Sequence, residues 1–449
     1  MTKIIKLTKG LDLPMEGKAE PEIASVCRPS VYRIIPDHYE GVKPRMLVKE
    51  GTHVNAGTPL FCDKCDERVL FTSPISGIVR EVIRGERRKI MEITIEADAS
   101  IEYEHFDTTI QSADDVRNLL LRSGLWTLLR QRPYDCIAML DKTPKAIFIS
   151  AFDSAPLAPD YDYIVRGHGS ELQAAVSALS LIAPVYIGVK AGNAAPEFRA
   201  LKQCNITQFD GPHPVGNVGV QINHVLPIGK GETVYTVNPQ DMLIIGRLLL
   251  KGIVDMQRLI ALTGPLAVGH AYYRILPGMP LEAILKGNVH NEVDYRIVSG
   301  NVLSGHKVEK DEIIEPQCNQ LTVIAEGSET HDFMGWIAPR FSNFSISKSI
   351  AGHWLSKVGF KDYNYDARLL GGHRAIIVSG EYDKVFPMDI YPEYLIKAMI
   401  AGNLDKMEQL GAYEVAPEDF ALCEYVCTSK MPLQAIVHNA LQNMKSELE

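Results

Sequence analysis

At 449 residues the chain is longer than one ordinary hydrophobic core organises, so three or four domains are expected. Hydrophobic content of 46% and charged content of 22% are those of a folded globular protein. A net charge of −9 gives no electrostatic reason to expect nucleic acid or an anionic membrane surface as partner.

The opening MTKIIKLTKG carries lysines but no apolar run, and so is not expected to be a signal peptide. The longest uncharged stretch, Leu172 to Val189, is broken by Pro184 and reads as helix, turn and strand, not as a membrane span. Eight cysteines without an export signal are expected to be reduced thiols in the cytosol.

After an N-terminal segment (1–30), the stretch 31–100 alternates apolar and turn residues through Val48–Leu60 and Phe61–Val79. Gly51, Gly57, Pro74 and Gly77 separate short strands, which predicts a small flattened β-barrel. The pattern resembles the biotinyl/lipoyl carrier domain, whose modified lysine sits on a hairpin tip ahead of the proline matching Pro74. Here that position is Asp66, and Lys64 lies two residues away between Cys62 and Cys65, so the fold is expected without the attachment site.

From 101 to 258 the rhythm becomes strand, helix, strand. Lys145–Ala151 predicts a buried strand, and Ser170-Glu-Leu-Gln173 a capping box opening a helix with Leu172, Val176, Leu179 and Ile182 on one face. Pro184 ends that helix and Val185–Val189 is a second strand, giving a right-handed βαβ unit and a Rossmann-like parallel sheet. In 259–330, Pro277–Leu285 reads as a turn into a helix, followed by short strands around Tyr295 to Leu303. The remainder, 331–449, is mainly helical beyond Phe386, with Leu395, Met399, Leu404, Met407 and Leu410 facing its core. The fold class is therefore α/β and multidomain.

Three stretches carry a more specific resemblance. They are Lys9-Gly-Leu-Asp-Leu-Pro14 with Phe71–Gly77 and Arg84–Arg88; Gly211-Pro-His-Pro-Val-Gly-Asn-Val-Gly219 with Asn238–Gly246; and Ile297–Gly305. In this order they resemble the A subunits of the sodium-translocating NADH:quinone oxidoreductases, a family similar in architecture to the C subunit of Rnf complexes and the flavin subunit of complex I. The resemblance implies a six-subunit respiratory complex that passes electrons from NADH to ubiquinone and exports sodium. It implies that NADH, FAD, FMN, riboflavin and the 2Fe-2S cluster belong to partner subunits, some of them membrane-embedded. This chain would then sit on the cytoplasmic face of the bacterial inner membrane through those partners, at the quinone end. It also implies that 259–330 is a β-grasp-like (SLBB) module.

Several constellations invite chemistry and fall short of it. Fitting the last two cysteines of a C-x₂-C-x₂-C-x₃-C-P cluster run to Cys423 and Cys427 puts its first two on Pro417 and Phe420, and Thr428 replaces the proline. Packed thiols are the simpler reading. Cys62 and Cys65 lack two further zinc ligands and sit on a hairpin, away from any helix N-terminus. A flavin phosphate needs a Gly-rich loop, but Ser123–Arg132 offers one glycine followed by Trp126, Leu128 and Leu129. Arg130 and Arg132 alone could touch a phosphate, and Phe152–Pro156 lacks the acidic pattern of the flavin relatives, so the site is expected to be closed. Arg166-Gly-His-Gly169 lacks the third glycine of an anion loop and reads as a turn into a helix. His213 or His224 could donate to a quinone carbonyl, though histidines in such turn-rich segments more often satisfy local backbone. Trp336, Phe341, Phe344 and Trp354 fit either a docking surface or a core.

No catalytic residue and no metal ligand is therefore expected, no cofactor-binding residue is assigned, and the isolated chain is expected to be inactive. An Rnf-type electron carrier and an acyl or carboxyl carrier remain as alternatives.

Overall fold

The computed structural model describes residues 4–290, 292–328, 363 and 365–448. Its first module is a sandwich of two small sheets. Strands Val31–Ile34, Ile90–Ala97, Gly77–Arg84 and His53–Val54 form one, and Pro44–Met46, Pro59–Asp63 and Leu70–Thr72 the other. Phe61 and Phe71 stack between them at 4.5 Å, with Tyr39 edge-on to Phe71. The hairpin between the last two strands carries Cys62, buried, and Lys64 and Cys65, both exposed. Asp66 at its tip pairs with Arg68 at 2.6 Å, so the carrier domain's attachment position is held by a salt bridge.

The second module is a seven-stranded sheet. Its strands are β1 (Ile4–Lys6), β2 (Arg130–Arg132), β3 (Cys136–Ile137), β4 (Ala146–Ser150), β5 (Val185–Lys190), β6 (Asn205–Asp210) and β7 (Val234–Thr236), in the order β1-β6-β5-β4-β7-β2-β3. The first five in that order are parallel, and β2 and β3 close the far edge antiparallel. Along β4, Ile147 and Ile149 join one core while Ala146 and Phe148 join the other, the alternation of a strand buried on both faces. Helices α1 (Ala113–Arg122), α2 (Gly169–Ile182), α3 (Val218–Val225) and α4 (Pro239–Lys251) flank the sheet. Leu172, Val176 and Leu179 of α2 and Ile244, Ile245 and Leu248 of α4 pack into the same core as Ile147. At Gly246 the two helices approach so closely that a Cβ would run into the carbonyl of Glu171. Val220 and Ile222 of α3 pack on the opposite side, with the C-terminal helices.

The βαβ unit expected from Lys145 to Val189 is present with the expected buried face. The expected capping box is not. α2 begins at Gly169 with His168 as N-cap, which places Ser170 inside the first turn, where its hydroxyl donates to Glu171 at 2.8 Å. The Gln173 amide is taken by the backbone of Lys202 instead. A true capping box opens α1, where Ser112 and Asp115 exchange bonds.

A six-stranded sheet forms the third module, and its edge strand, Ile23–Ala24, pairs with Tyr272–Tyr273. The N-terminal segment thus adds β1 to the second module and Ile23–Ala24 to the third. The chain ends in helices α5 (Pro392–Ile400), α6 (Ala421–Val426) and α7 (Leu433–Leu448), with a short helix Leu404–Gln409 between the first two. Leu395, Met399 and Met407 are buried there, as the sequence pattern requires. Among the described residues no helix is long and apolar enough to cross a membrane.

Candidate functional site

The crossover direction reverses at β4. The chain runs from β4 through β5 to β6 on one side, and α3 then carries it back to β7 on the other. Loops leaving the carboxyl ends of β4 and β7 therefore part, which is where open α/β sheets bind ligands. The cleft between them holds about 590 Å³, within the range of small-molecule pockets. The expectation that this site is closed fails as geometry: the space is present.

The arginines of its lining are paired with carboxylates. Arg130 pairs with Asp135 at 3.0 Å, and Arg132 with Asp419 at 2.5 Å and Glu418 at 2.9 Å. Behind the wall, Arg258 pairs with Asp241 at 2.6 Å. Burial works against the charge of Arg132, and Asp419 and Glu418 more than restore it. Burial would raise Asp135, but Arg130 and Arg132 hold it below the ordinary carboxylate range. The positive end of α4 already meets Asp241 in its own first turn. Where a Gly-rich loop would lie, Leu125–Leu128 forms a tight turn with Trp126 buried and its indole N–H donating to the Ala138 carbonyl at 2.7 Å. Both arginines of the cleft wall are claimed by carboxylates.

Two family-like stretches, Lys9–Pro14 and Gly211–Gly219, are brought together beside this cleft. The amide of Leu11 donates to the His213 carbonyl at 2.8 Å, and the amide of His213 to the Asp12 carboxylate at 2.8 Å. Ser154, in the loop after β4, accepts from the Gly216 amide at 2.8 Å and pairs with His213 Nδ1 at 3.0 Å. They frame a second cavity of about 420 Å³, walled by Leu13, Met15, Phe152, Leu157, Phe209 and Val215. Lys18 and Lys190 supply donors, and Asp153 belongs to the walls of both cavities.

Neither histidine singled out in the sequence lines either of these two cavities. His224 Nδ1 bonds the Val220 carbonyl of its own helix at 2.9 Å. His213 is 4% exposed, behind Ser154, and burial lowers its pKa to about 4. Its folded value thus lies below that of the unfolded chain, so the unfolded state binds the extra proton between about pH 6.5 and 4. Stability is unaffected above about pH 6.5 and falls as pH drops toward 4, by about 3 kcal/mol from this group alone. A His213→Gln variant should show a smaller loss between pH 7 and pH 4.5 in denaturant titrations. Equal losses in both proteins would exclude this source.

Cys423 lies buried in α6, where burial pushes its thiol well up, and Cys427 follows the helix with its sulfur 2.9 Å from the Tyr382 hydroxyl. Phe420 packs on Phe386 at 5.0 Å. No group of three metal-ligating side chains occurs among the described residues. In Arg166–Gly169, the Gly167 amide donates to Glu197 at 2.9 Å, as befits a turn into α2. Trp336, Phe341, Phe344 and Trp354 lie outside the described residues.

Comparison with known proteins follows this architecture module by module. Residues 5–98 match the NqrA N-terminal barrel-sandwich hybrid domain, 111–254 the NqrA second alpha/beta domain and 259–310 the NQRA C-terminal domain. The A subunit of the Na(+)-translocating NADH-quinone reductase of Neisseria meningitidis serogroup B is 34% identical over 451 residues, covering 99% of this chain and all of the relative. The chain belongs to the NqrA family, the A subunits of these reductases. Its relatives in Pasteurella multocida and Haemophilus influenzae PittEE are 33% and 32% identical at the same coverage. As an NqrA protein, the chain is one component of an oxidoreductase complex with other subunits. Family membership agrees with the resemblance drawn from Lys9–Pro14, Gly211–Gly219 and Ile297–Gly305. The two cavities had no signature in sequence, because Asp153, Lys190, Glu418 and Asp12 come from four separate stretches.

Proposed function

We propose that this chain works at the quinone-reducing end of its complex by holding a quinone head group, without a flavin or iron–sulfur cluster of its own. In this reading NADH, the flavins (FAD, FMN and riboflavin) and the 2Fe-2S cluster reside on the other members of a six-subunit assembly. The chain docks on the cytoplasmic face of the membrane through membrane-embedded partners. The observation that carries the proposal is the 420 Å³ slot, which joins apolar walls to a few donors. A quinone is a flat apolar ring with two carbonyl acceptors, and such a slot meets both needs. The larger cleft sets fewer apolar walls beside Arg130, Arg132, Asp135, Asp241 and Glu418, and suits an apolar ring less well.

The test is calorimetric titration of the isolated chain with a short-tailed ubiquinone. The purified chain should be colourless, bind the quinone weakly and fail to reduce it with NADH. Filling the slot by Ala158→Trp should abolish binding. Stoichiometric flavin or iron in the purified chain would favour an electron carrier instead. Unchanged binding by the tryptophan variant would refute the slot.

A further inference from the structure

We propose that Asp153 is the proton donor to the quinone, drawing protons from the larger cleft on one side of its carboxyl and delivering them into the slot on the other. This inference rests on the quinone reading of the slot. Reducing a quinone to a quinol takes two electrons and two protons. The electrons come from NADH through the partner subunits, but the protons must reach the slot from water. Asp153, with Phe152 beside it, belongs to the walls of both cavities, so one titratable residue borders both the cleft and the slot.

The local chemistry supports that placement. The Asp153 side chain accepts from the Ala155 amide at 2.8 Å, and among the described residues no lysine or arginine forms a salt bridge with it. Burial raises its pKa, partly offset by the amides of Ala155 and Ser154, so it keeps its proton to higher pH than an ordinary carboxyl. On the slot side it shares the walls with Asp12, Lys18, Lys190 and Asp210. On the cleft side stand Arg130, Arg132, Asp135, Asp241 and Glu418, with the Tyr161 phenol. The two arginines are already paired and do not hold Asp153 ionised. Glu418, whose side chain is 44% exposed at the cleft, can exchange protons with solvent.

The step balances simply. As the quinone accepts its electrons, one carbonyl oxygen forms an O–H bond while the O–H bond of Asp153 breaks and leaves a carboxylate. That carboxylate recovers a proton from water in the cleft beside Glu418. The second carbonyl oxygen takes its proton from water at the slot's rim, near Lys18 and Lys190.

The experiment uses the assembled complex and measures NADH-driven quinone reduction against pH. Asp153→Asn should lower kcat about 100-fold, in line with loss of a positioned acid, and change KM for quinone less than about threefold. Asp153→Glu should keep most of the rate, and a small weak acid such as formate should partly rescue Asp153→Asn. Full activity of Asp153→Asn with an unchanged pH profile would overturn the proposal. So would a slow variant that neither formate nor glutamate restores, because that is the mark of a purely structural role. Ala158→Trp separates the two claims. If it stops quinone reduction while Asp153→Asn runs at full rate, the slot stands and the donor falls; if it changes nothing, the slot reading itself falls.

Discussion

Asp419→Ala should destabilise the protein by about 3–5 kcal/mol, the cost of leaving a buried charge without its partner. Arg132 and Asp419 are 2% and 0% exposed at their side chains, and they join β2 of the sheet to the short turn before α6. Removing the carboxylate strips the buried Arg132 guanidinium of its strongest partner. Glu418 and the Glu414 carbonyl, at 2.9 and 2.8 Å, remain as weaker compensation. It also unsatisfies the Ala416 amide, which donates to Asp419 at 2.9 Å. The hydrophobic contacts of the tail are not enough to hide such a loss, since whole domains are stable by only about 5–15 kcal/mol.

Two further variants identify the cause. Replacing Arg132 and Asp419 together by Met and Leu should recover most of the stability, because desolvation offsets most of a buried pair's attraction. Gly219→Ala should act on the same pair from α3, since its Cβ would fall 2.5 Å from Arg132 Nη1 and 2.7 Å from Asp419 Oδ2. Denaturant midpoints at constant m-value measure all three. A loss under about 1 kcal/mol for Asp419→Ala would mean that the pair is not what fastens the tail.

Much of this architecture was legible because it depends on local pattern. The β4–α2–β5 unit shows in the Leu172, Val176, Leu179 spacing and in Pro184, and the sandwich in the turn residues Gly51, Gly57, Pro74 and Gly77. What escaped depends on distant pairing. Ser170 looked like an N-cap, but Gly169 and His168 carry the chain into the helix first, and Gln173 is drawn to the backbone of Lys202, 29 residues on. The cleft was expected closed because the phosphate loop is degraded, yet its space comes from the reversal of strand order between β4 and β7, which no linear motif records. Arg130 and Arg132 looked free for a phosphate in sequence; Asp419 lies 287 residues from Arg132, so the pairing that silences it appears only in the fold.

The complex depleted of this chain should keep oxidising NADH with artificial electron acceptors while losing nearly all quinone reduction. The first half follows from the proposed division of labour. If NADH and the redox centres are on partner subunits, acceptors that reach those centres directly bypass this chain. The second half follows from the slot. Holding reactants in a productive arrangement supplies about 7–11 kcal/mol of barrier lowering in well-oriented systems, so loss of even part of the quinone's pocket costs orders of magnitude in rate. Adding back the purified chain should restore quinone reduction, whereas the Ala158→Trp variant should rejoin the complex without restoring it. That contrast matters because depletion alone also removes any scaffolding contribution. If the depleted complex reduced quinone at the full rate, the pocket would belong entirely to other subunits. If the tryptophan variant restored the rate as well as the unmodified chain, the chain would act by holding its partners in place, and the 420 Å³ slot would have no part in the chemistry.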